Sequence, residues 1–407
     1  SSGLKDSQQT ATRRSRNLAG RTLVVVQVAL SMLLLVGAGL FVRTLINLNN
    51  AHLGFDPNNL LLFDLQPPQT RYADAKGVAL YHAIEEKLAS LPGVDAVTLT
   101  EVPLISGDRS GHVFDPDDSS QRTKEHQHVA FNMVGEHFFS TFSIPVIAGR
   151  GFGDGDTETS PKVAVINQQL ARKFFSTTDP IGKTFLTGDP AHPVRMQIIG
   201  VCKDAKYDNL RSDPPATFYV PYRQQAGSEF MTFDIHTRMK PEAIAPLLRT
   251  AVASIDKDLP ILDIRTQNEQ IEDRGKGERT FASLTSGFGL LAFALACIGI
   301  YGLMAYSVAR RTNEIGIRMA LGAQSGRVQR MILGEASSLA IVGVAAGLAL
   351  GMAMSRLIAS MLYGLKSYDP LTFTGASLLL LFAAFSASWI PARRAARIDP
   401  LKALRHE

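Results

Sequence analysis

At 407 residues the chain is long enough for more than one domain, and its 45% apolar composition neither requires nor excludes a membrane protein. A net charge of +5 would invite a nucleic-acid partner only if the basic residues formed one face or one run. They do not, and the placement of charge and apolar runs along the chain carries the information.

Residues 1–22 are polar and basic and form a leader. The first apolar run, 23–42, has the length of a membrane-crossing helix, which needs about 20 residues for a hydrocarbon layer of about 30 Å. A polar stretch, 43–280, follows. Three more apolar runs, 281–308, 331–354 and 371–390, are separated by short connections at 309–330 and 355–370, and a tail occupies 391–407. The four spans make this an integral membrane α-helical protein with one large insert.

Lysine and arginine near span ends are retained on the cytoplasmic side. The leader, the 309–330 connection and the tail together hold 15 basic against four acidic residues, whereas the insert holds 25 basic against 31 acidic. Leader, connection and tail are therefore cytoplasmic, and the insert is extracytoplasmic. Topology accounts for the basic balance, so no nucleic-acid partner is expected. Only Cys202 and Cys297 occur, one in the insert and one in a span, so a disulfide between them is excluded.

Within the insert, "LLLFDLQ" reads as a strand, "ADAKGVALYHAIEEKLASLPGV" as a helix ending at Pro92-Gly93, and "VDAVTLTEV" and "HVAFNMV" as strands. "KVAVINQQLARKFF" gives strand then helix, and "RMQIIGVCKDA", "ATFYVPY", "MTFDIHTR" and "ILDIRT" give strands, with a helix from Pro241 to about Ile255. The mixture lacks a βαβ rhythm, so the insert is expected to be α+β with two sublobes, the residues from about 142 to 222 forming the inserted one.

Three features of the insert imitate chemistry. "IGKT", Ile181 to Thr184, resembles the end of a phosphate-binding loop, but that loop needs a glycine where Thr177 stands, and a turn entering a strand is the plainer reading. His112, Asp115, Asp117, Asp118, His126 and His128 cluster in sequence, yet their spacing completes no EF-hand or zinc pattern and fits a solvated loop and strand edge. Neither a G-x-S-x-G elbow nor an H-E-x-x-H helix is present. No catalytic, metal-binding or cofactor-binding residue is expected in this chain.

The third span carries Gly343, Gly347 and Gly351, four residues apart and thus on one helix face. Such a stripe lets another helix backbone approach closely, either within the chain or across a dimer seam. Glu335 sits one turn inside the cytoplasmic end of the same span, placed to snorkel or to meet an arginine.

"RRTNEIGIRMALGA", Arg310 to Ala323, separates the second and third spans. Asn313 suits a helix cap, Glu314 favours the first turn, and Glu314 with Arg318 makes an i,i+4 pair. Ile315, Met319 and Gly322 share one face, with Ile317 and Leu321 beside them. A purely topogenic loop needs only arginines, whereas this one spells a short amphipathic helix. "PARRAARIDPLKAL", Pro391 to Leu404, is a second basic amphipathic segment on the same side. Together they suggest a docking surface for a soluble partner.

On these residues, "RRTNEIGIRMALGA" before a span and "PARRAARIDPLKALRHE" after the last one, the chain resembles the permease core of MacB/FtsX-like ABC transporter subunits. In the insert, "VAVINQQLARKFF", "DPIGKTF" and "IIGVCKDA" resemble the MacB-type periplasmic core domain. The resemblance implies a non-catalytic permease in a bacterial inner (plasma) membrane. It further implies an ABC ATPase dimer as partner, with ATP and magnesium on that partner alone, and a second permease unit alongside. A periplasmic or outer-membrane partner is also implied. In such proteins the short cytoplasmic helix receives the ATPase's motion and the helices transmit it outward. Asn313, Glu314, Ile315, Gly316, Ile317, Arg318, Leu321 and Gly322 are the coupling residues by position. Lacking a fused nucleotide-binding domain, the sequence is most similar to the C-terminal half of long permeases in which the span-insert-three-span unit occurs twice, and the polar leader then reads as a linker. The competing reading, from a different class, is a membrane-anchored sensor or scaffold that regulates a cell-envelope partner without transport. An extracytoplasmic hydrolase is a third, for which no motif speaks.

Overall fold

The computed structural model describes residues 2–117, 127–175, 179–189, 191–225, 229–321, 324–357, 363 and 369–397. The chain divides into two compact units, Ala51–Lys276 on one hand and Ser1–Asn50 with Gly277–Glu407 on the other. It opens with α1 (Ser2–Asn49) and enters the larger unit through β1 (Leu60–Leu65), α2 (Gln69–Tyr72), α3 (Ala75–Ala89), β2 (Val94–Thr100), β3 (Ser110–Pro116) and β4 (Gln127–Val134). There follow α4 (Phe138–Thr141), β5 (Val146–Gly149), β6 (Val163–Asn167), α5 (Gln168–Phe174), β7 (Thr184–Thr187), β8 (Val194–Cys202) and β9 (Thr217–Pro221). The unit is completed by β10 (Met231–Thr237), α6 (Ala245–Ile255), β11 (Ile261–Thr266) and α7 (Gln267–Arg274). The chain returns through α8 (Lys276–Arg310), α9 (Thr312–Ala320), α10 (Ser325–Leu357) and α11 (Pro370–Ala395).

The larger unit is α+β. Strands β11, β1, β10 and β2 form an antiparallel open sheet, and β2 touches β4 at a single pair, Thr100 opposite Val134. From β4 the order runs β3, β7, β8, β6 and β9, and β9 pairs back onto β4 in parallel, so six strands close a ring. Closure leaves an interior that aromatic side chains fill: Phe114, Phe131, Phe185 and Phe218 are all buried, with Phe114 and Phe185 rings 4.3 Å apart. Strand β6, "VAVIN", is buried at every position because it lies between β8 and β9, which is why it reads as a continuous apolar run.

Local signals fix several joints. Asn167 ends β6 and caps α5, its Oδ1 accepting from Leu170 N at 2.9 Å and from Thr217 N at 2.9 Å. Thr266 and Glu269 form a capping box at the start of α7, just before the chain enters α8. Gly182 of "IGKT" turns with φ +81° into β7.

The ring draws on strands before residue 142 as well as on those between 142 and 222. β3 and β4, both before residue 142, belong to the ring. The acid- and histidine-rich surroundings of β3 masked it as a loop, although "SGHVFDP" pairs along β4 from Ser110 opposite Phe131 to Phe114 opposite Gln127.

Four helices are long and apolar enough to cross a membrane: Ala19–Asn49, Lys276–Arg310, Ser325–Leu357 and Pro370–Ala395. Each extends past the apolar run that announced it, because helical hydrogen bonding continues until a breaker appears, whereas hydropathy marks only the apolar part. The leader is accordingly continuous with α1 from Ser2. Residues 391–395 likewise continue α11 rather than opening a separate segment; Pro391 lies inside the helix and is buried, and 398–407 are outside the described residues.

Candidate functional site

The basic end of the helical unit is built around α9. A single residue, Arg311, separates it from α8, and its helix begins at Thr312, not after Asn313. The expected cap is thus corrected: Arg311 holds the N-cap position without a side-chain cap, and Asn313 sits exposed in the first turn. Thr312 instead turns its hydroxyl back to α8, donating to Ala309 O at 2.9 Å and Val308 O at 3.1 Å. With only Arg311 between the two helices, α9 starts as soon as α8 ends, and this leaves Asn313 inside the first turn.

The nine residues of α9 sort by face. Ile315, 1% exposed, and Gly316 are buried, and Ile315 belongs to one apolar cluster with Val24, Val328, Ile332, Ala392 and Ala395. Asn313, Glu314, Ile317 and Arg318 are exposed, and Leu321 just beyond the helix is 83% exposed. Glu314 and Arg318 form the i,i+4 pair at 2.6 Å, and Arg318 Nη1 also lies 3.5 Å from Met331 Sδ on α10. Gly322 lies outside the described residues. One face of α9 is therefore fixed to its own bundle, while the other offers two apolar side chains beside an ion pair.

Two arginine–carboxylate clusters bracket the helices. At the α9 end, Glu335 of α10 pairs with Arg21 of α1 and, at 3.1 Å, with Arg311. At the other end, Asp369 pairs with Arg43 of α1 and caps α11, accepting from Thr372 N at 3.0 Å. The sequence marked Glu335 as wanting an arginine; which ones it takes depends on three helices meeting, and no local pattern encodes that.

Gly343, Gly347 and Gly351 lie away from α9 and face α1. A Cβ on Gly347 would stand 2.5 Å from Met32 Cβ and 2.8 Å from Ala29 O, and one on Gly343 2.7 Å from Val28 Cβ. Gly351 is less tight, its nearest neighbour being Phe373 of α11 at 3.5 Å.

In the larger unit, His112 packs against Phe131 in a tilted arrangement with ring centres 4.0 Å apart, and His126 lies outside the described residues. Among the described residues no three His, Cys, Asp or Glu side chains converge as metal ligands. Clefts among the described residues include one of about 500 Å³ beside Glu136, His137 and Phe152 and one of about 420 Å³ between Asp64, Asp108, Arg265 and Arg274.

Residues 22–255 match the MacB-like periplasmic core domain, and residues 286–400 match the FtsX-like permease C-terminal family. Among curated relatives, the pyoverdine export ATP-binding/permease protein PvdT of Pseudomonas savastanoi pv. phaseolicola is 28% identical over 281 residues, covering 67% of this chain and 42% of the relative. The macrolide export ATP-binding/permease protein MacB of Neisseria gonorrhoeae gives the same identity and coverage. The uncharacterized ABC transporter permease YknZ of Bacillus subtilis is 27% identical over 344 residues, 80% of this chain and 84% of the relative. The chain thus spans about two fifths of the length of the ATP-binding/permease relatives, but most of YknZ. Of solved structures, the periplasmic region of MacB from Actinobacillus actinomycetemcomitans is similar at a TM-score of 0.37 and 15% identity, over 56% of this chain and 95% of that one. With one domain match covering more than half of the sequence and a second covering the last three apolar helices, the chain belongs to the MacB/FtsX-like family of ABC transporter permeases.

Proposed function

We propose that this chain is a non-catalytic permease subunit that couples ATP hydrolysis on a separate ABC ATPase dimer to movement of its extracytoplasmic domain, for export or for mechanical activation of a partner. The observation that carries the reading is the two-faced character of α9. Its buried face, Ile315 and Gly316, ties it to the other helices, and its outer face presents Glu314, Ile317, Arg318 and Leu321. Exposed apolar side chains rimmed by charge suit a protein groove, and a docked helix with one rigid face passes displacement onward. ATP and magnesium belong to the ATPase in this proposal.

The site of action is the inner membrane of a bacterium, with a second permease unit beside the first, either another copy or the other half of a duplicated chain. A periplasmic or outer-membrane partner would receive the movement. The pyoverdine and macrolide named for the relatives mark export as the activity class to test first.

The test is ATP turnover in proteoliposomes holding the chain and the ATPase that co-purifies with it. Wild-type chain is expected to change the ATPase rate severalfold, and Leu321→Asp to abolish the change by placing a charge in the docked face. An ATPase rate indifferent to the wild-type chain would overturn coupling and favour the sensor or scaffold.

A further inference from the structure

Coupling through α9 raises a mechanical question. α9 is joined to α8 through Arg311 and ends at Ala320, and α10 begins at Ser325, so those two helices follow it through the backbone. α1 has no such connection, although its chain leads directly into β1 of the extracytoplasmic domain. Ile315 shares an apolar cluster with Val24 of α1, but apolar contacts resist separation better than sliding.

Glu335 supplies what those contacts lack. Its Oε1 accepts from Arg21 Nη2 of α1 and its Oε2 from Arg311 Nη1 at 3.1 Å, so one carboxylate holds two helices at the level where α9 begins. Glu335 is 19% exposed, against 44% for Arg21 and 41% for Arg311. It is also the single acidic residue of α10. A carboxylate so close to the apolar layer is costly unless paired, and without it two guanidinium groups would face each other. We propose that Glu335 is the positioning residue of the coupling element, its carboxylate pinning Arg311 and Arg21 to α10 so that displacement of α9 carries α1 along with α8. This rests on the coupling reading, and its test separates the two.

In nanodiscs of wild-type chain, Glu335→Gln and Glu335→Asp, hydrogen exchange is followed without any ATPase. Glu335→Gln is expected to speed exchange at least fivefold in residues 312–320 and leave the larger unit unchanged, with Glu335→Asp within twofold of wild type. With the co-purifying ATPase added, the maximal permease-dependent change in ATP turnover should fall at least threefold in Glu335→Gln. The permease concentration giving half the change should stay within twofold, a split that a lost docking surface would not produce. Unchanged exchange in Glu335→Gln, or a shift in the half-maximal concentration with an unchanged maximum, overturns the proposal. If exchange responds but wild-type chain alters no ATPase rate, positioning stands and the coupling reading falls. Should Glu335→Gln fail to fold, Arg21→Gln and Arg311→Gln each remove one arm; a rise in α9 exchange in both is expected, and none in either refutes it.

Discussion

The two units of this chain differ in the extremes of side-chain size that they bury. The larger unit buries Phe114, Phe131, Phe185, Phe218, Tyr81 and Tyr219, whereas the helical unit sets Ala296, Ala336, Ala340, Gly343, Gly347 and Ala384 among Val28, Met32, Leu40 and Ile300. Water explains the first choice, because each aromatic side chain withdrawn from it contributes through the area it buries. Apolar helices in lipid gain nothing that way, so small residues that bring backbones close supply the packing instead. Carboxylates take two kinds of partner. Glu335 and Asp369 of the helical unit are clamped by arginines, as is Asp156 of the larger unit by Arg150, while Asp234 and the largely buried Glu85 of the larger unit meet hydroxyl groups.

The sharpest way to break this contrast is to hollow the ring. Phe218 contacts the rings of Phe131 and Phe185 at centre distances of 5.2 Å each and is fully buried. Phe218→Ala should cost the larger unit about 3–5 kcal/mol. Hydrogen exchange of the β6 and β9 amides in the intact chain checks this, and α10 should keep its wild-type protection. Equal loosening in both units would mean that they are not independent in stability.

A second test uses the buried carboxyls. Burial pushes Asp234 far above the usual carboxylate range against the hydrogen bond from Thr100, and its Oδ1 finds no partner among the described residues. Burial likewise raises Glu85 to about 7, opposed by the Tyr222 hydroxyl and Arg223 and assisted by Glu136 and Glu86. Glu85 is on α3, which packs on the open sheet, and Tyr222 follows β9 of the ring, their hydrogen bond being 3.0 Å. A raised folded pKa means that the native state holds a proton the unfolded chain releases. The associated stability is present below the unfolded value near 4.5 and is lost as pH rises through about 7. Up to about 3 kcal/mol of the larger unit's stability should disappear between pH 5 and pH 8 through this group. Glu85→Gln keeps an acceptor for Tyr222 and should flatten that slope, which thermal unfolding at several pH values measures. A slope identical to wild type would remove Glu85 as its source.

Much of this arrangement is legible in the sequence, and the illegible part has a common cause. Strands β1, β6 and β9 and the four apolar helices announce themselves through hydropathy and period, because burial on one or both faces is a local requirement. An amphipathic α9 follows from the same logic, but its apolar residues divide, Ile315 turning inward while Ile317 and Leu321 stay exposed. What the local pattern hides is pairing. The β4–β9 contact that closes the ring joins residues nearly 90 positions apart, Ala130 with Thr217, and without it β3 looks like loop. Glu335 shows its need for a counter-charge but not that Arg21, 314 positions away, meets it. Asn313 is the residue type that caps helices, yet α9 starts so soon after α8 that the cap position falls two residues earlier, at Arg311.

The glycine stripe gives the most discriminating comparison within one helix. Gly347 and Gly334 both lie in α10, but a Cβ at Gly334 would meet nothing within 4 Å, whereas one at Gly347 would press on Met32 Cβ and the Ala29 carbonyl of α1. The obstacle at Gly347 includes backbone and a side-chain root, neither of which can rotate away, so α1 and α10 must part along the seam. Gly347→Ala should therefore destabilise the helical unit by about 1–3 kcal/mol. Gly334→Ala should be neutral or stabilise it by up to about 1 kcal/mol through helix propensity. Thermal unfolding in detergent, followed by the fluorescence of Trp389, the chain's single tryptophan and a residue of α11, reads the helical unit directly. Equal effects of the two substitutions would show that the stripe acts through propensity, and close approach of α1 to α10 would lose its energetic basis.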